Sequence, residues 1–172
     1  MEIESTLISE AEIQRRVREL GQQISDDYSD REPVLVCVLK GAAVFFADLF
    51  RTVSIPVGCE FIQLSSYNGR TESSGHVRTV QGLNGNLHNA DLVVVEDIVD
   101  TGQTLSFLRK EIEALEPASV KVCSLLNKPT QRIVSTQVDY VGFEIPDTFV
   151  VGYGLDYAQK YRNLREIYHI KT

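Results

Sequence analysis

Apolar residues recur at Ile13, Val17, Leu20 and Ile24 with charged positions between them, the spacing of an amphipathic helix. Ser9 precedes the run and Glu12 follows it by three positions, the two halves of a capping box, so the helix is placed at about Ser9–Asp27. Pro33 opens the next segment, Val34-Leu35-Val36-Cys37-Val38-Leu39, which has no polar interruption. Its β-branched content and turn-forming flanks predict a strand buried on both faces, the pattern of parallel sheets. After Lys40-Gly41, Ala42–Arg51 predicts a helix with Val44, Phe45, Leu49 and Phe50 as apolar contacts. Adjacent Phe45 and Phe46 are not expected to reach one core together, which makes this helix a candidate subunit interface.

A strand is expected from about Cys59 to Leu64, then a polar stretch from Ser65 to Gly75, then a short alternating segment at Val77–Val80. Small hydroxyl residues and two glycines bury little apolar area, so the polar stretch reads as a loop with a lid role, a plain disordered loop being the competitor. Leu92–Val95 is a second wholly apolar strand. An acidic turn and a helix follow, with Leu105, Leu108, Ile112 and Leu115 on one face before Pro117 stops it. Val120–Leu126 is the third such strand. Strand, helix, strand, helix, strand is the order of a right-handed parallel α/β sheet, and no repeat or linker divides the chain.

Composition narrows the function. A chain of 172 residues, 43% hydrophobic, buries roughly 70% of its unfolded surface and needs neither disulfides nor a structural metal to hold a core. The formal net charge of -7 disfavours a phosphate backbone as partner, so no nucleic acid is expected. Cys37, Cys59 and Cys123 are odd in number and widely spaced, and read as buried thiols of a reducing compartment. With no basic-then-apolar leader and no apolar run near the ~18 residues that span a bilayer, the expectation is a cytoplasmic protein without membrane contact.

The most informative string is Val93-Val94-Val95-Glu96-Asp97-Ile98-Val99-Asp100-Thr101-Gly102-Gln103-Thr104. It sits where a buried strand ends and a helix begins, the place where open α/β sheets bind ligands. Backbone N–H groups of a hydroxyl-rich turn, together with the helix dipole, suit a phosphate monoester. Glu96, Asp97 and Asp100 crowd three carboxylates into five residues, which is repulsive unless hydroxyls, a divalent cation or developing positive charge lies opposite. Helix capping alone explains any one of these residues; the whole ordered string is harder to explain that way. GxxxxGK[ST], GxGxxG, HExxH and GxSxG are all missing.

The string resembles the phosphoribosyl-pyrophosphate signature of type I phosphoribosyltransferases. Further strings place the resemblance in the hypoxanthine-guanine branch, bacterial type: Leu39-Lys40-Gly41, Ser65-Ser66-Tyr67 with Glu72-Ser73-Ser74-Gly75, Leu125-Leu126-Asn127-Lys128-Pro129, Val141 to Asp147, and Phe149 to Tyr157. The resemblance implies an α/β fold over residues 1–172, a mostly parallel sheet flanked by helices, with a hood built from the terminal segments and a flexible lid loop. It also implies transfer of the phosphoribosyl group to hypoxanthine, and to guanine with it, in purine salvage. In that reading Glu96 and Asp97 face the ribose hydroxyls and magnesium, while Asp100, Thr101, Gly102, Gln103 and Thr104 wrap the 5-phosphate. Asp100 is the catalytic acid-base group near purine N7. Lys40 and Gly41, at a non-proline cis peptide, meet pyrophosphate with Arg162, and Ser66 and Tyr67 close over it. Lys128 reads the 6-oxo group, Phe149 stacks on the base, Val150 offers backbone groups to its edge, and Asp156 lies near the base and magnesium.

Each residue has a bland reading beside this one: Lys40 in an ordinary turn, Lys128 solvated, Phe149 in a core, Asp156 and Arg162 on the surface. His76, His88 and His169 have no ligand spacing. Asn127 stands where bacterial relatives often have Asp, and Asn68-Gly69-Arg70 varies the lid tip. A nucleotide-sensing, RNA-binding regulator on the same fold is the alternative, opposed by the acidic charge; an enzyme for xanthine or a pyrimidine is a third. The resemblance also implies a homodimer or homotetramer.

Overall fold

The computed structural model describes residues 2–67, 76–83 and 85–171, and the side chains of all of these except 65–67 and 76–78. The chain runs through β1 (Glu2–Ile8), α1 (Glu10–Asp27), β2 (Val34–Leu39), α2 (Ala43–Thr52), β3 (Gly58–Tyr67), β4 (His76–Gln81) and β5 (Asp91–Val99). It continues through α3 (Gln103–Glu113), β6 (Ser119–Asn127), β7 (Tyr140–Glu144), β8 (Val150–Val151) and β9 (Ile167–Lys171). The capping box at the start of α1 is present. Ser9 Oγ accepts from the Glu12 N–H at 3.4 Å, and the Ser9 N–H donates to Glu12 Oε2 at 3.0 Å.

Six strands form the central sheet in the order β4-β3-β2-β5-β6-β7, all parallel except the β3–β4 pair. The unbroken apolar runs have a direct cause. Leu35 and Cys37 of β2 and Val93 and Val95 of β5 face α1 and α2, while Val36, Val38, Leu92 and Val94 face α3, so both sides of each strand are covered. A second sheet, β1-β9-β8, joins the two ends of the chain.

Several elements differ from expectation. No strand was expected at Glu2–Ile8, where most side chains are exposed and the pairing partner lies at the far end of the chain. β7, β8 and β9 are also additions, and β8 has only two residues. β3 continues to Tyr67, pairing with β4 through Tyr67↔His76, so Ser65–Tyr67 belongs to a strand and not to a loop. The remaining loop residues, 68–75, lie outside the described ones. α3 ends at Glu113, which leaves Leu115 off the helix and exposed.

Phe45 and Phe46 both reach the same core, contrary to expectation, and Phe46 also stacks on Phe50 at 5.6 Å between centroids. Phe61 of β3 packs edge-on against Phe46, at 5.4 Å between centroids. Cys59 of β3 is exposed, contrary to expectation, whereas Cys37 and Cys123 are buried as expected.

Candidate active site

β2 pairs with β5 only as far as Cys37↔Val95, while β5 continues beside β6 to Val99. That divergence opens a gap along one side of β5 where its acids stand, and Glu96 and Asp97 are therefore part of the strand and not of a turn beyond it. The gap is a cavity of about 290 Å3 whose wall includes Leu39, Gly41, Glu96, Asp97 and the Asp100–Gly102 turn, with Thr104 beyond it. Gln103 opens α3 with an exposed side chain and is not in the wall. Lys40 is exposed, and the cis peptide is the bond Leu39–Lys40. Gly41 lies so close to the Asp97 carboxylate that any Cβ there would collide with it.

Glu96 is buried and Asp97 partly so. Burial, and then the neighbouring charge of Asp97, hold the Glu96 carboxyl well above the usual carboxylate range. Burial also pushes Asp97 up to about 6, against the pull of backbone N–H donors and of Arg162; Asp156 adds to the rise. Two crowded carboxylates repel each other unless a cation lies against them, and their hard oxygens suit magnesium, which needs only one or two carboxylates when a substrate supplies the other oxygens. No group of three or more such ligands occurs among the described residues, so the set fits a metal shared with substrate and not a closed protein cage.

The Asp100–Gly102 turn is held from its outer side. Arg132 donates to the Asp100 carbonyl at 2.5 Å and to Asn127 Oδ1, and the N–H groups of Ile133 and Val134 both donate to the Thr101 carbonyl, at 3.0 and 3.1 Å. With its carbonyl edge occupied, the turn leaves the first N–H groups of α3 to face the cavity. Gly102, the N-cap of α3, has φ +83°, and a Cβ there would lie 2.6 Å from the Val134 carbonyl, so only glycine fits.

Lys128 follows β6, nearly buried, its N–H bonded to the Val99 carbonyl at 3.0 Å. Its Nζ lies 3.5 Å from Asp100 Oδ2 and 3.6 Å from Asp147 Oδ1. Phe149 is 63% exposed, which rules out a core role, and Val150 is buried in β8 opposite His169. The turn after β8 reaches the cavity from the other direction. Tyr153 donates to Asp48 of α2 at 2.6 Å, and Gly154 is pressed against the Gly41 carbonyl. Arg162 donates to the Gly154 carbonyl at 2.7 Å and pairs with Asp156 at 2.6 Å, and both charges are felt at Asp97. Lys128, Phe149, Val150, Asp156 and Arg162 flank the cavity without forming its wall. Ser66 and Tyr67 are placed by backbone alone, in β3 opposite Val77 and His76.

Two site residues carry no expectation from sequence. Arg132 reaches Asp100 only because the short 3-10 turn Pro129–Gln131 swings it back over β5, and Asp147 stands in a recognised string with no role attached.

The phosphoribosyl transferase domain family matches residues 6–158. The bifunctional protein TilS/HprT of Listeria monocytogenes is 47% identical over 163 residues; the match takes in 95% of this chain, which spans about a quarter, 25%, of that protein's length. The hypoxanthine-guanine phosphoribosyltransferase of Bacillus subtilis is 45% identical, the match covering 95% of this chain and 91% of that protein. The crystal structure of a hypoxanthine-guanine phosphoribosyltransferase from Bacillus anthracis superposes with a TM-score of 0.94 at 45% identity, over 99% of this chain and 100% of that one.

Proposed function

The chain belongs to the phosphoribosyl transferase family, and from that premise we propose that it transfers the phosphoribosyl group of 5-phosphoribosyl 1-pyrophosphate to hypoxanthine and guanine, releasing pyrophosphate. The carrying observation is the approach of Lys128 to Asp100, 3.5 Å apart at the ends of neighbouring parallel strands, beside the cavity that holds Glu96 and Asp97. A cation for an oxo group and a carboxylate for a ring N–H are what an oxopurine offers partners to.

In this mechanism Thr101–Thr104 bind the 5-phosphate through backbone N–H groups at the start of α3. Glu96 and Asp97 hold the ribose hydroxyls and, with Asp156 near them, would hold the magnesium ion. Bound there, the ion would supply charge neutralisation for the pyrophosphate group. Gly41 and Arg162 meet pyrophosphate, Lys128 donates to the purine 6-oxo group, and Phe149 covers the base, with Val150 at its edge. Asp100 takes the N7 proton as N9 bonds to the ribose carbon, and the adjacent carboxylates stabilise the positive charge that develops on the ring. Ser66 and Tyr67 close over the site and exclude water. The terminal sheet β1-β9-β8 acts as the hood, and the setting is purine salvage in the cytoplasm. Assembly into a dimer or tetramer rests on the resemblance alone, since Phe45 and Phe46 are both occupied within one chain. No helix among the described residues is long and apolar enough to cross a membrane.

Nucleotide formation with phosphoribosyl pyrophosphate and magnesium, compared across hypoxanthine, guanine, xanthine and adenine, tests this. Hypoxanthine and guanine are expected to turn over and adenine to be inert; no turnover with any base by folded protein overturns the reading. Asp100→Asn keeps the shape of the side chain and is expected to lower kcat at least about 100-fold, the scale of a lost general base, with Tm unchanged.

A further inference from the structure

Lys128 has a nearly buried ammonium placed between two carboxylates, Asp100 at 3.5 Å and Asp147 at 3.6 Å. The mechanism uses the first and leaves the second without a task. We propose that Asp147 is a specificity-determining positioning residue, the standing counter-charge that keeps the Lys128 ammonium aimed at the oxo group of the incoming base. The proposal rests on the reading of Lys128 as the group that binds that oxygen.

The argument is electrostatic. As N9 bonds to the ribose carbon, the bond from that carbon to the pyrophosphate oxygen breaks, its electron pair leaves with the oxygen, and the N7 proton passes to Asp100. Asp100 is then neutral. An ammonium only 7% exposed would be left with no anion beside it, and an uncompensated buried charge is costly. Asp147, which takes no part in the proton transfer, keeps the charge compensated throughout. Before the transfer it matters for a second reason. With Asp100 as sole partner the ammonium would be drawn wholly toward the catalytic carboxylate and away from the base. Two anions on different elements hold it between them, and an ammonium has three N–H donors to share among them and the oxo group.

The segment that carries Asp147 is fixed at both ends. The Ile145 N–H donates to the Asn127 carbonyl, one residue before Lys128, at 3.0 Å. On the other side Thr148 Oγ1 lies 2.9 Å from His169 Nδ1, and the Phe149 carbonyl accepts from the Ile170 N–H at 3.2 Å. One short stretch therefore sets both the counter-charge and the exposed Phe149 ring, which binds the same base.

Steady-state kinetics of Asp147→Asn and Asp147→Glu, each substrate varied in turn, test this with Lys128→Ala as reference. Asp147 is largely exposed and Asn has its shape, so the fold is not at stake. Asp147→Asn is expected to raise KM for hypoxanthine about tenfold, the worth of one charge-assisted contact, and to leave KM for phosphoribosyl pyrophosphate within about twofold. Asp147→Glu should recover most of the loss. An unchanged hypoxanthine KM in Asp147→Asn, with Lys128→Ala impaired, overturns the proposal and leaves the Lys128 reading standing. An unchanged hypoxanthine KM in Lys128→Ala overturns both. A joint rise of both KM values in Asp147→Asn marks a general loosening of the site and also overturns it.

Discussion

Cys37 and Cys123 lie between the sheet and its helices, and burial pushes the Cys37 thiol up to about 12, with the charges of Glu96 and Asp97 adding to the rise. Burial raises Cys123 as well. Cys59 alone among the three is exposed. Since the thiolate is the reactive form, a disulfide reagent at pH 8 should modify one thiol per native chain and three after denaturation. A second fast-reacting thiol in the native protein would contradict the placement of Cys37 and Cys123. The exposure of Cys59 was hidden in the sequence because it lies near the start of β3, and how much of a strand its neighbours cover is set by tertiary packing. Asp100, Glu96 and Asp97 were legible because their chemistry is contiguous in the chain. Arg132 and Asp147 were not, because each acquires its meaning from a partner that only folding brings near, Asp100 for one and Lys128 for the other.

At the scale of elements, the three apolar strands and the three helices were all readable, since a doubly covered strand and a one-sided helix write opposite patterns into the chain. What was misread is where β5 stops. Glu96 and Asp97 look like the start of a turn because they are acidic, yet Glu96–Val99 extend the strand because β6 pairs with it through Val99↔Asn127. The turn that follows depends on the segment after the 3-10 turn. Arg132→Ala removes the donors to the Asp100 carbonyl and to Asn127, and charge-assisted hydrogen bonds of this kind are worth about 1.5–3 kcal/mol each. Turnover by this variant is expected to fall roughly 10- to 100-fold as Asp100 loses its place. A kcat within twofold of the parent would show that Ile133 and Val134 hold the turn without it.

At the scale of the whole molecule, the acid pair that lines the cavity works against the fold. Asp97 titrates at about 6 in the folded chain and near its ordinary, lower value when unfolded, so the ligand-free folded chain binds the extra proton between those values. Stability is therefore lost as pH rises through that window, and the penalty is complete above it. Asp97→Asn removes the penalty and relieves Glu96, whose carboxyl is raised partly by Asp97. The ligand-free variant should melt a few degrees above the parent at pH 8, with the difference shrinking toward pH 4, while its activity is lost. An equal or lower Tm at pH 8 contradicts this. The sequence by itself determined the parallel α/β core and the hydroxyl-rich turn that opens α3, because both are made by residues close together in the chain. Only the tertiary structure decided the terminal sheet, the gap between β2 and β5, and the meeting of Gly154, Gly41 and Asp97. Those depend on pairings and close approaches between residues as distant as Glu2 and Lys171, which local pattern does not record.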